Sequence, residues 1–141
     1  MDPVSAVASV LTLLVAAESS CKFIYEFVHN IVEAPVEIQA HITKLESLDR
    51  TLSTLLQIYS SLPHDTPVDT ILISRIKDFL GELKIVQQKI GANNSWESLG
   101  RGQRIRARCK WLSSDRWLQK FFASLEQWNI IFSQAILAVQ T

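Results

Sequence analysis

The side chains in this sequence that most often act as nucleophiles or metal ligands are three histidines and two cysteines. The histidines are His29, His41 and His64, and the cysteines are Cys21 and Cys109. Metal sites need histidine, cysteine or carboxylate at short regular spacings, and nucleophilic catalysis needs a base beside the nucleophile. Neither pattern is present in the sequence. We therefore predict no metal centre, no cofactor, no small-molecule substrate and no enzymatic activity.

Basic residues are concentrated between residues 101 and 120, a stretch that holds half of the lysines and arginines of the chain. On a helix, Arg106 and Lys110 lie opposite Arg104 and Arg108, so these residues do not form one dense cationic stripe. The pattern favours a solvated or acid-paired helix face over a nucleic-acid interface. It also suits weak contact with anionic lipid head groups or with an acidic partner.

Charge is unevenly divided along the chain although the formal net charge is zero. Residues 1–70 hold three basic and nine acidic side chains, whereas residues 71–141 hold eleven basic and five acidic ones. Either the two halves pack beside each other or a local basic patch meets an anionic surface.

The amino-terminal segment carries no charge between Asp2 and Glu18. As a helix, residues 3–17 span about 22 Å, which is short of the roughly 30 Å hydrocarbon core of a bilayer. Three interpretations remain open: a buried core helix, a signal peptide, or a helix that reaches lipid only when released or assembled. A signal peptide is the least favoured of the three, because no positive residue precedes the apolar run.

Hydrophobic periodicity predicts an all-α protein. The clearest pattern is in the second helix, where two series of residues recur every seven positions and form a seam typical of helical bundles. One series is Ile38, Leu45, Leu52 and Tyr59, and the other is His41, Leu48, Leu55 and Leu62. A histidine in such a seam is more often a structural residue than a ligand.

We predict helices over about 3–33, 36–61, 67–90, 103–112 and 114–140, which form a single domain over residues 1–141. The expected architecture is an antiparallel four-helix bundle with an additional short helix before the last long helix. The first helix is expected to begin at Pro3. The third is expected to begin at Pro67 behind a cap at Asp65 or Thr66, and Gly91 is expected to end it.

Several motifs follow one another in a recognisable order. They are the start Met1-Asp2-Pro3-Val4-Ser5, an aromatic-rich stretch from Phe23 to Phe27, the break Ala34-Pro35-Val36-Glu37-Ile38, and a leucine-spaced second helix. In this order they resemble the amino-terminal, HeLo-like domain of fungal STAND proteins, which are NLR-like. The segment from Arg108 to Gln140 is similar as well, so the resemblance spans nearly the whole chain.

The resemblance implies a bundle related to the four-helix killer domain of necroptotic pseudokinases. It implies a programmed cell-death effector in fungal innate immunity, of the kind that acts in heterokaryon incompatibility. Such a domain is cytoplasmic at rest. On activation it self-associates and moves to the plasma membrane, where its first helix acts. Some members depend on acidic residues early in that helix, and Glu18 is the regulatory candidate here.

On this hypothesis, residues 3–17 pack as a core helix until assembly of several copies frees them to meet lipid. The expected lipid-contacting residues are Val4, Val7, Val10, Leu11, Leu14 and Val15. The expected contacts to anionic head groups are Arg104, Arg106, Arg108 and Lys110. The alternative is a helical module that forms homo-oligomers or binds a partner protein, without membrane activity.

Overall fold

The structure is a computed structural model that describes residues 5–31, 35–92 and 99–140. Within these ranges the chain forms five helices and no strand, so the all-α prediction is confirmed for this part of the chain. The helices are α1 (Ala6–His29), α2 (Val36–Ser60), α3 (Thr70–Ala92), α4 (Arg101–Ser114) and α5 (Arg116–Gln140).

Helix α1 begins later and ends earlier than the sequence predicts. Ser5 has an extended backbone, and its hydroxyl oxygen accepts a hydrogen bond of 3.0 Å from the amide of Ala8. A serine in this position caps a helix, so α1 begins at Ala6 and not at Pro3. The helix ends at His29, where Asn30 donates its backbone N–H to the carbonyl of Glu26. The last two residues of the predicted helix, 32 and 33, lie outside the described residues.

The predicted boundaries of α3 are wrong at both ends. The Thr66 hydroxyl donates a hydrogen bond of 2.7 Å to the carbonyl of Pro63 and so closes a turn instead of capping a helix. The carboxylate of Asp69 caps α3 by accepting a hydrogen bond of 2.9 Å from the amide of Ile71. At the other end, Gly91 lies inside the helix, which continues to Ala92.

A single residue, Asp115, separates α4 from α5. Its backbone is extended, and its Oδ1 accepts a hydrogen bond of 3.0 Å from the amide of Leu118 in the first turn of α5. Its Oδ2 lies 3.1 Å from Nζ of Lys89, which joins this junction to α3. Helix α4, which begins at Arg101 and ends at Ser114, is longer at both ends than the predicted 103–112.

The helices pack around one apolar core. Helix α1 packs against α2 and α3, α2 packs also against α5, and α4 rests on α5. Six of the eight predicted seam residues form the buried face of α2, whereas His41 and Leu62 are half-buried. The six are Ile38, Leu45, Leu48, Leu52, Leu55 and Tyr59. Between α3 and α5 the core is filled by aromatic rings, with Phe79 5.2 Å from Trp128 and 5.5 Å from Phe132.

Candidate functional site

The first half of α1 is a core helix in this structure. Val7 is 3% exposed, and Val10 and Leu14 are completely buried. They follow one another at three- and four-residue steps and therefore lie on one helix face. Leu11 is half-buried and Val15 is 55% exposed, and Val4 lies outside the described residues.

In the same half of α1, the polar side chains are small hydroxyl groups. Thr12, which is exposed, donates its hydroxyl hydrogen to the carbonyl of Ala8 at 3.0 Å, so its polarity is satisfied within the helix. By length and composition α1 could cross a membrane, and 39% of its most apolar eighteen-residue window is buried. A core helix of a soluble protein meets the same criteria. Release of this half would expose hydrophobic surface but no unpaired charge.

Glu18 ends the uncharged half of α1 and faces an acidic residue of α2. Its Oε1 lies 3.1 Å from Nζ of Lys22, and its buried Oε2 has no hydrogen-bond partner among the described residues. Oδ1 of Asp49 is buried in the same way. The pKa of the Asp49 carboxyl is raised, first by burial and then by the negative charge of Glu18, while the positive charge of Lys22 opposes the shift. Lys22, which pairs with Glu18, therefore offsets part of the repulsion between the two carboxylates across the α1–α2 contact.

Asp49 has no feature in the sequence that marks it as part of this cluster. It follows Leu48, one of the seam residues, and its position next to Glu18 depends on how α1 lies on α2. The nearby contact between Sγ of Cys21 and the carbonyl of Leu45, at 3.9 Å, belongs to the same interface.

The four predicted head-group residues of α4 divide into two pairs. Arg106 and Lys110 are exposed and lie one helical turn apart. Arg104 and Arg108 are half-buried. The guanidinium of Arg104 donates to the carbonyl of Leu99 at 3.4 Å, and that of Arg108 lies 4.9 Å from the ring centre of Phe27. The second pair therefore makes contacts within the domain.

The basic helix and the apolar half of α1 lie far apart. Helix α4 packs on the last turn of α1, where the rings of Trp111 and Phe27 meet edge to face at 6.0 Å. The distance along the helix axis from Val7 to Phe27 is about 30 Å. The residues predicted for lipid contact and those predicted for head-group contact therefore lie towards opposite ends of α1 and do not form one site.

His41 is a packing residue in this structure. Its ring is stacked on Phe122 with ring centres 4.1 Å apart and planes 7° apart, and its buried Nδ1 has no hydrogen-bond partner among the described residues. Its pKa is lowered, first by burial and then by the positive charge of Lys44. Within the described ranges, no three histidine, cysteine or acidic side chains are grouped so that they could hold a metal ion.

Over the residues that the structure describes, the protein is all-helical, and its most membrane-compatible segment, the first half of α1, is part of the core. Comparison with known proteins found no matching family model, no similar curated protein and no similar solved structure.

Proposed function

We propose that this chain is a non-enzymatic cell-death and signalling effector domain, a HeLo-like antiparallel four-helix bundle with one additional short helix. On forced clustering, the first half of α1 leaves the core and acts on a membrane. The sequence motifs from Met1 to Ile38 support the family. The observation that carries the mechanism is the uncharged course of α1 from Ser5 to Ala17, in a helix long and apolar enough to enter lipid.

The energetics support a conditional helix. In the closed bundle, Val7, Val10 and Leu14 are removed from water, and each contributes about 1.5–3 kcal/mol to keeping α1 in place. When α1 leaves the core, this burial energy is lost if the side chains enter water. It is regained if they enter a membrane, because hydrocarbon then covers the same side chains. The open state is therefore favoured only where lipid is present.

The repulsion between Glu18 and Asp49 favours release. Because the buried Oε2 of Glu18 and Oδ1 of Asp49 have no hydrogen-bond partner among the described residues, and Lys22 offsets only part of their repulsion, this part of the α1–α2 contact is less stable than a fully paired one. Glu18 therefore acts as a regulatory residue through its effect on the closed bundle.

Self-association is needed because the segment is short. Residues 6–17 form a helix of about 18 Å, which cannot cross a bilayer without local thinning. Several copies that insert together disturb the bilayer more than a monomer does. As the resemblance implies, we propose that the resting domain is cytoplasmic and that the assembled form acts at the plasma membrane.

Leakage from vesicles tests the proposal. Val15 is exposed, so Val15→Asp leaves the closed core intact but adds a charge to the inserting segment, at a cost of about 2.5–3.5 kcal/mol at the centre of a bilayer. Val36, which is 80% exposed at the start of α2, supplies the matched control Val36→Asp. With the domain fused to a tetramerising tag, we expect leakage from the wild type and Val36→Asp but little from Val15→Asp. No leakage from the clustered wild type, or equal leakage from all three, would contradict the proposal.

A second candidate is a helical interaction module without membrane activity. The burial of Val7, Val10 and Leu14 favours it, because the same three residues fully explain α1 as a core helix. On this alternative, the clustered protein assembles without leakage and α1 stays in the bundle.

A further inference from the structure

Helix α4 is the least buried helix of the domain. Of its fourteen residues only Leu112 is buried, whereas each of the other four helices buries at least five residues. Ile105 and Cys109 share a helix face with Leu112, but they are only half-buried against the core. Few side chains therefore hold α4 on the bundle, and local opening of a protein begins where apolar contacts are few.

The carboxyl end of α4 is fixed to the rest of the domain. Asp115 is the single residue between α4 and α5, and its Oδ1 accepts a hydrogen bond of 3.0 Å from the amide of Leu118. Its Oδ2 lies 3.1 Å from Nζ of Lys89 in α3. The backbone of Asp115 is extended, so a change in its φ and ψ angles turns the whole of α4 while α5 stays in place. Asp115 is therefore in the position of a hinge.

A phenylalanine of α1 holds α4 away from this hinge. The ring of Phe27 meets the ring of Trp111 edge to face at 6.0 Å, and the guanidinium of Arg108 lies 4.9 Å from the centre of the Phe27 ring. Edge-to-face aromatic pairs and cation–π contacts are both attractive, and both require that the groups stay close together. One side chain of α1 therefore makes two attractive contacts with α4, and these contacts break together when α4 moves.

We propose that α4 is a strap that turns about Asp115 and that Phe27 latches it closed. In the closed form the strap covers the thiol of Cys109, and burial raises the pKa of this thiol. In the open form, the apolar face of α4 and the ring of Phe27 enter the solvent together. The strap thus controls access to the last turn of α1.

The strap goes beyond the proposed function, which concerns the first half of α1. Opening of the strap takes place in the single domain in solution and needs neither a membrane nor clustering. A test without vesicles and without a tetramerising tag therefore gives a result that does not depend on whether the proposed function is correct.

Alkylation of the two cysteines by iodoacetamide tests the strap. Cys109 lies on α4, whereas Cys21 is completely buried in α1. In the folded wild type we expect Cys109 to be alkylated while Cys21 stays unreacted, because α4 opens and the rest of the bundle remains closed. Mass spectrometry of peptides measures the two rates separately.

Phe27→Ala removes the latch. We expect this variant to be alkylated at Cys109 about tenfold faster than the wild type, because both contacts of the ring are lost. The matched control is Phe23→Ala, which removes a ring that is 45% exposed one turn earlier in α1. We expect the control to react at the wild-type rate. Protection of Cys21 shows that each variant is folded.

Three results would overturn the inference. Equal rates at Cys109 in the wild type and Phe27→Ala would show that Phe27 does not hold the strap. Equal acceleration by Phe23→Ala would show that the effect is not specific to the latch. Reaction of Cys109 and Cys21 at the same rate, in the wild type or in Phe27→Ala, would show that α4 opens only when the whole domain unfolds.

Discussion

At the scale of single residues, α1 offers an internal comparison between two valines. Val10 is completely buried and Val15, five residues later, is 55% exposed. The sequence places both in one apolar run and cannot tell them apart, because every residue around them is uncharged. Packing against α2 and α3 determines which of them lies in the core.

We predict that Val10→Asp lowers the free energy of unfolding by about 3–5 kcal/mol, because it places an unpaired charge in the core. Val15→Asp has the same helix propensity and the same charge, and we expect it to change stability by less than about 1 kcal/mol. Urea denaturation followed by circular dichroism measures both. Similar losses for the two variants would show that the closed structure of α1 is wrong.

His41 gives a pH-dependent prediction. Burial and Lys44 lower its pKa in the folded state below the ordinary value of 6.5, while Glu37 opposes the shift. The unfolded chain therefore takes up a proton first as pH falls below about 6.5, and stability decreases with it. We expect His41→Gln to flatten the decrease, and His29→Gln, a change at an exposed position, to leave it unchanged. Thermal unfolding between neutral and mildly acid pH tests this, and identical profiles for His41→Gln and the wild type would contradict the assignment.

At the scale of helices, the existence of all five could be predicted from periodicity, but their ends could not. Two helix starts are predicted at the wrong residues: α1 begins behind Ser5 and not at Pro3, and α3 begins behind a cap at Asp69 and not at Asp65 or Thr66. Each stretch offers several residues that are suitable caps, and the choice depends on how the neighbouring turn packs. Half-buried Val68, for example, contacts the core just before α3, so the helix begins after it.

In α4, too, one part of the candidate head-group site could be predicted from the sequence and another part could not. The sequence predicts that its cations lie on two sides, and their exposure agrees with this. Which pair faces solvent could not be predicted, because it depends on Phe27 and Trp111 of the neighbouring contact. Of the four cations, Arg106 and Lys110 are the two that project into solvent.

We predict that Arg106→Gln/Lys110→Gln weakens binding to phosphatidylserine-rich vesicles about thirtyfold, since each of the two surface cations contributes about 1 kcal/mol near an anionic membrane. The matched control Lys77→Gln/Lys84→Gln removes two exposed cations from α3, and we expect a smaller effect. Vesicle sedimentation at low and high salt measures both. Equal losses would show that net charge, and not the face of α4, determines the binding.

At the scale of the whole molecule, the domain has two different surfaces. Helix α4 offers exposed cations at the end of the bundle where α1 finishes, and stretches without lysine or arginine, residues 5–17, 51–74 and 127–140, meet where α1 begins. The sequence shows both kinds of segment but not their separation, because residues 51–74 and 127–140 come together only through the packing of α2, α3 and α5.

Hydrogen exchange of α2 residues 52–60 most directly tests whether the first half of α1 is a conditional helix. Cys21 contacts Leu45, whereas Val15 lies near Leu56 and Ser5 lies beside His64, so residues 52–60 lie beside the first half of α1. In the resting domain this half of α1 covers them. In the clustered protein with vesicles, we predict faster exchange over residues 52–60, with α5 as the internal reference. Equal protection in the resting and the clustered protein would contradict the account, because it would mean that α1 never leaves the core.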